Sequence, residues 1–333
     1  MAYEEIISFI RSNLNKDFEH DFNYLLKELV HYQSLPNGEQ IVKSIVELMK
    51  TELGDAGLKK LKEIELKGLK ERIDKYNTGI KLLQERKTTE AQEIFVNLID
   101  TFGIKFSDDV PTYNFQNIVE SILYTKIVNP NVQRIRQISE PIAGYYFHSA
   151  LIFFQEKDFE ESSKLLDTVL KYNPVYVEGI LLKAECCLKE GYSNLFLEYV
   201  TDALKVAYTR THLAKCYFLL GKYYLDLGFK ELSMALLIVS KGNEQTPFID
   251  QVIKQAASLS GSFIKFDSPE EIKQQLINNK IQFGPNPQIM VILTKIKEEA
   301  KNKNDLKLLK LVLKIQYDLT RNEAIKKELD ELK

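Results

Sequence analysis

Cysteine is scarce in this sequence. Cys186, Cys187 and Cys216 are the whole supply, an odd number with two of them adjacent and no C-x-x-C pair. That excludes a disulfide framework and favours free, buried thiols of the kind a reducing cytoplasm preserves. Histidine is almost as rare: His20, His31, His148 and His212 stand in no H-E-x-x-H or Cys/His metal-ligand spacing. The few glycines form no phosphate-binding or dinucleotide loop, and no G-x-S-x-G occurs. Long apolar runs are missing too. No window approaches 18 uncharged apolar residues, and the opening MAYEEIISFIRSNLNKD is acidic from the start, so neither a membrane span nor a secretion signal is expected. Nor is one sign of charge in excess: 45 basic and 47 acidic residues leave a net charge of −2. A nucleic-acid-binding chain normally shows a basic surplus, so no nucleic-acid partner is expected. The C-terminal stretch KIKEEAKNKNDLKLLKLVLK is locally basic but interrupted by acids, and reads as a solvated helix face.

What is present is helix-forming material. Between the nine prolines, Leu, Lys, Glu, Ile and Ala recur at helical spacing, and alternating strand patterns are nearly absent. The fold class expected is all-α. Ser268 before Pro269, Glu270 and Glu271 predicts a capped helix start with acids facing the dipole. The segment 34–37 predicts a break, Gly54 and Gly57 a second, and LKKLKEIELKGLKERIDKY a long helix after it. SGSFIKFDSP, from Ser260, reads as an isolated extended piece.

The run LGKYYLDLGFKELSMALL poses the central question, because it is amphipathic throughout yet holds Gly221 and Gly228. A glycine inside a helix costs about 1 kcal/mol relative to alanine. The cost vanishes if the run is two helices: Gly221 a small residue where they touch, Gly228 the end of the first. The pattern recurs. Tyr217, Leu220, Gly221 and Tyr224 precede Ser233 and Leu237; Ile180, Ala184 and Cys187 precede Phe196 and Val200; Tyr146, Ala150 and Phe153 precede Ser162, Leu166 and Pro174; Gly79 and Leu82 precede Ala91 and Phe95. Ala150 and Ala184 are 34 apart, Ala184 and Gly221 are 37 apart, and Gly79 and Ala150 are 71 apart, close to two periods. Residues 110–138 would then be a degenerate helix pair, and 289–300 with 306–319 a divergent one.

This register resembles the tetratricopeptide repeat family over residues 72–247. The resemblance implies helix–turn–helix units stacked as a right-handed α-solenoid, flanked by helical regions at 1–71 and 248–333 that cap the array. It also implies a concave face lined by the first helix of each unit. Carried over, the lining is Phe147, Leu151, Phe154 and Gln155; then Leu181, Glu185, Leu188 and Lys189; then Lys215, Phe218, Lys222, Leu225 and Asp226, with Tyr76, Ile80 and Leu83 from the first unit. Family members that clamp a terminal carboxylate use Lys, Asn and Arg at places that here carry Phe147, Leu151, Leu182, Lys215 and Leu219, so only Lys215 keeps the charge. Two readings of so apolar a face stay open: it takes an apolar or amphipathic peptide, or the chain's own flanking helices fill it.

No catalytic constellation, metal site or cofactor is expected. Asp108–Asp109 and Glu270–Glu271 read as loop or helix-start carboxylates, His148 as packed or surface-exposed rather than a ligand, and the cysteines as packed residues. The function this implies is a non-enzymatic, cytoplasmic scaffold for a protein or peptide. The alternative is a peptide-sensing regulator with residues 1–71 as a helical effector region ahead of the array.

Overall fold

A computed structural model describes residues 3–33, 35, 38–102, 110–259 and 264–332. The all-α expectation holds: sixteen α-helices lie among the described residues, with only two strands of two residues each. None of these helices is long and apolar enough to cross a membrane. The chain divides into two compact units, one of Met1–Asn114 and Arg134–Ile152, the other of Phe115–Gln133 and Phe153–Lys333.

The first unit opens with α1 (Tyr3–Ser12), α2 (Phe18–Gln33) and α3 (Glu39–Gln84). Phe22, Leu25 and Leu29 put one face of α2 against Ile41, Ile45, Leu48 and Met49 of α3, and Ile10 of α1 closes the cluster. The turn into α2 is tied by Asp21, whose carboxylate accepts the amides of Asn15 and Lys16, each at 2.9 Å. Burial pushes that carboxyl upward, but these amides and His20 outweigh it and hold the group below its ordinary range. The expected break at Gly54 is a kink inside α3, where φ is +63°. Beyond it α3 continues unbroken through residue 71 and pairs with α4 (Thr88–Thr101). A methyl group on Gly79 would lie 2.7 Å from Phe95 Cε1, so these helices meet through the glycine.

Residues 110–138 correct the sequence reading. In place of a helix pair there is one short helix, α5 (Ile118–Leu123), running into a π-helical turn (Tyr124–Val128). On either side of it in the sequence, β1 (Thr112–Tyr113) and β2 (Arg136–Gln137) pair in parallel, and both strands belong to the first unit. The cause is local. Asn117 caps α5 by accepting from the amides of Val119 and Glu120, and Pro130 follows the turn, disfavouring helix in the residue before it. Asn114 then bridges Ile138 O and the amide of Ala143, both at 3.0 Å, which leads into α6 (Ile142–Gln155).

In the second unit α7 (Phe159–Tyr172), α8 (Val177–Lys189), α9 (Ser193–Val206), α10 (Arg210–Asp226), α11 (Lys230–Asn243) and α12 (Pro247–Leu259) pack each on the next. Then come α13 (Pro269–Asn278), α14 (Pro287–Asn302), α15 (Leu306–Thr320) and α16 (Glu323–Asp330). Ser268 caps α13 as expected, accepting from the Glu271 amide. The isolated extended piece falls partly on 260–263, outside the described residues, as does Asp108–Asp109.

Every expected hairpin that forms closes by the same turn. Arg86, Lys157, Gly191, Gly228 and Asn304 all have φ between +53° and +88°. At each, the next amide reaches back five residues: Lys87 to Leu82 O, Asp158 to Phe153 O, Tyr192 to Cys187 O, Phe229 to Tyr224 O and Asp305 to Ala300 O, at 2.8–2.9 Å. This is the Schellman closure, which satisfies carbonyls the ending helix leaves unpaired. The first four turns are spaced 71, 34 and 37 residues apart, the spacings seen among the small residues.

Gly221 and Gly228 therefore divide their work as the sequence implied. A methyl on Gly221 would stand 2.9 Å from Leu237 Cγ and Cδ2, and Ser233 Oγ donates to Gly221 O at 2.7 Å. A methyl on Gly228 meets nothing, but φ is +81°. Gly221→Val should thus destabilise the fold by about 1–3 kcal/mol through overpacking, read as a lower urea midpoint. Gly228→Ala should cost about 1–2 kcal/mol through left-handed strain alone. Equal, negligible effects of both would contradict this assignment.

Candidate interaction site

The residues assigned to a concave face fall in both units. In the first, Phe147 and Leu151 of α6 are half-buried, and the Phe147 ring meets His148 edge-on at 5.3 Å. Tyr76 is a packing hub: its hydroxyl bonds His148 Nδ1 at 3.2 Å, and its ring touches Phe95 and Tyr145. Only a glycine at position 144 leaves that hydroxyl room, since a methyl there would lie 2.2 Å from it. His148 is a packed residue whose burial pushes its pKa down. Ile80 and Leu83 are half-buried.

In the second unit, Phe154 packs on Phe159 with ring centroids 5.3 Å apart. Leu181 and Leu182 are buried; Glu185, Leu188 and Leu219 are half-buried. Phe218 and Leu225 join a cluster with Met234, Leu237, Val252 and Ala256, and the Phe218 ring lies 5.2 Å from Phe248. At this end the chain's own α12 covers the apolar positions. The members left exposed are polar: Gln155, Lys189, Lys215, Lys222 and Asp226. The Lys215 ammonium faces Glu178 at 3.7 Å.

An open apolar surface lies elsewhere, in a place the sequence reading did not single out. A groove of about 840 Å³ runs along α2, α3 and residues 136–140 of the first unit. That volume is in the range of ligand clefts, roughly 300–1,000 Å³. Val30, Ile64 and Leu66 line it while 58%, 42% and 55% exposed. Large apolar side chains gathered on one opening mark an interaction surface more than the same residues scattered singly. The signal was in the sequence: lining positions 61, 64, 65, 68, 69 and 72 follow helical spacing. The run reads from its sequence only as a long charged helix, because lysines and glutamates stand between these positions.

One end of the groove is polar but not reactive. Arg72 holds Glu140 by two bonds, Nε to Oε1 at 2.7 Å and Nη2 to Oε2 at 2.9 Å, and Tyr145 OH donates to Oε1 at 3.1 Å. The carboxylate's hydrogen-bonding capacity is engaged by these donors, which stiffens the groove wall and pulls the Arg72 pKa further up.

The densest polar cluster of the second unit is likewise a fastening. Glu120 on α5 accepts from the Gln116 amide at 2.8 Å, Asn173 Nδ2 at 2.8 Å and Tyr208 OH at 3.0 Å. Burial raises its pKa. Beside it Glu178 meets His212 Nε2 at 3.3 Å. Burial would raise this carboxyl, but His212 and Lys215 bring it down to about 2. These contacts join α5 to the α7–α8 and α9–α10 turns. The thiols are inert, burial pushing Cys186 up to about 11 and Cys187 and Cys216 upward as well. No group of three His, Cys, Asp or Glu side chains able to hold a metal occurs among the described residues.

Compared with protein-family models the chain matches none, and it matches no curated protein.

The depressed Glu178 fixes a sign. Its folded pKa lies below its unfolded value, so its contribution is full above about 4.5 and lost as pH falls toward about 2. Glu178→Gln should therefore be less stable than the parent at pH 6, and the difference should close below pH 4.5 in urea titrations. A difference that does not change with pH would refute the pairing.

Proposed function

We propose that the protein is a non-enzymatic scaffold that binds a polypeptide, built on tetratricopeptide-like helix pairs and working in the cytoplasm. The observation that carries this reading is the exposed apolar groove of the first unit, with Val30, Ile64 and Leu66 open on it. Its size and lining suit an amphipathic helix laid apolar face down. The recurring Schellman turns at residues 86, 157, 191 and 228, in register with the small residues, support the repeat architecture. Glu140, at one end of the groove, is held by Arg72 and Tyr145 as part of the wall.

The alternative, a regulator whose N-terminal helical region is an effector, draws on the same groove. It lies in a unit with its own core of Ile10, Phe22, Leu25 and Ile45. The two readings share the prediction that a polypeptide docks there.

Both are tested by immobilising the full chain and its Ile64→Glu/Leu66→Glu variant, then comparing what each retains from native lysate. The expected result is a polypeptide held by the parent and lost at least about tenfold in the variant, which buries two charges on docking. Retention of the same polypeptides by both chains would contradict the assignment of the groove.

A further inference from the structure

Four glycines inside helices of this chain stand where a neighbouring helix presses on them. A methyl group on Gly79 would lie 2.7 Å from Phe95, one on Gly179 3.0 Å from Val169 and one on Gly221 2.9 Å from Leu237, while one on Gly144 would overlap Tyr76. Gly57 meets only Leu53 and Met49 of its own helix, beside the Gly54 kink. Gly242 meets nothing but falls in the last turn of α11. Gly68 fits none of these cases. It sits well inside α3, where alanine is the better helix former. A methyl there would meet only Arg72 Nη1, at 3.2 Å. That atom is the tip of a side chain, which can give way, so packing among the described residues does not demand a glycine.

Gly68 lines the groove of the first unit, and so does Arg72 one turn on. Arg72 spends Nε and Nη2 on Glu140, and no hydrogen bond engages Nη1, the nitrogen against Gly68, among the described residues. The ion pair is neutral as a whole. Its spare N–H donors therefore suit a neutral acceptor, since a carboxylate brought there would also meet Glu140. A backbone carbonyl is such an acceptor, and glycine is the residue that lets another backbone come close. In a helix the carbonyls free to accept are the last four. A helix N-terminus would instead set its unpaired N–H groups against those of Arg72.

We infer that the groove takes its helix in one direction, the partner's C-terminal turn lying over Gly68 and giving a backbone carbonyl to Arg72 Nη1. This rests on the reading of the groove as a helix-docking surface and adds its polarity and its point of closest contact.

Contact quenching on the full chain tests it. The chain has no tryptophan, and its three cysteines are buried. A bimane dye on Ser139→Cys, an exposed groove position beside Glu140, therefore reports a tryptophan brought by a probe. The probes are two leucine-faced helical peptides with amidated C-termini, one carrying tryptophan in its first turn and the other in its last. Both should bind, as followed by their anisotropy on the unlabelled chain, and only the last-turn tryptophan should quench the dye. Gly68→Ala should weaken binding about tenfold, the worth of the hydrogen bond it obstructs. The same variant should keep or raise the urea midpoint, alanine being favoured in a helix. Gly242→Ala, in the other unit, should leave binding unchanged. Quenching by the first-turn tryptophan or by both equally, unchanged binding in Gly68→Ala, or an equal loss in Gly242→Ala would overturn this inference alone. So would a lower urea midpoint in Gly68→Ala, which would make the glycine a seat for Arg72. Failure of both peptides to bind would overturn the groove reading and this inference with it.

Discussion

The hydrogen bond from the amide after each left-handed residue back to the carbonyl five residues earlier is the constraint on which the helix pairs depend. It stops one helix, turns the chain, and starts the next within three residues. That short reversal forces the two helices into contact along their length. Contact in turn demands small residues where the axes approach, and Gly79 and Gly221 meet the demand with space for nothing larger. Two of the five turns use glycine, at 191 and 228. The others place Arg86, Lys157 and Asn304 in a backbone region that costs an ordinary residue about 1–2 kcal/mol. The packing of each pair repays that strain.

Much of this was legible in the sequence because it rests on local spacing. Gly228 as a stop, Gly221 as a contact and Ser268 as a cap each follow from the chemistry of one residue and its neighbours. The register of 34, 37 and 71 residues appears both among the small residues and among the turns. Residues 110–138 were not legible, since their fold depends on distant partners. Asn114 bonds across to residues 138 and 143, and Glu120 is held by Asn173 and Tyr208. No periodicity announces such contacts.

The candidate binding surface was harder to read for a different reason. Helical spacing identifies an apolar face but not what covers it. The face of α10 that carries Phe218 and Leu225 looks available in the sequence, yet α12 packs on it. The face of α3 that carries Ile64 looks solvated, yet it borders an open groove. In the first unit, Leu61, beyond the Gly54 kink, belongs to the core formed by the first part of α3, while Ile64 and Leu66 border the groove.

The claim that this groove receives an amphipathic helix is tested most directly by a reporter inside it. All three native cysteines are buried, so a polarity-sensitive dye attached at Leu66→Cys labels a single exposed position. Titration with a leucine-faced amphipathic helical peptide should shift the dye emission to the blue and saturate. A scrambled peptide of the same composition should leave it unchanged. An identical response to both peptides, or none to either, would contradict the account.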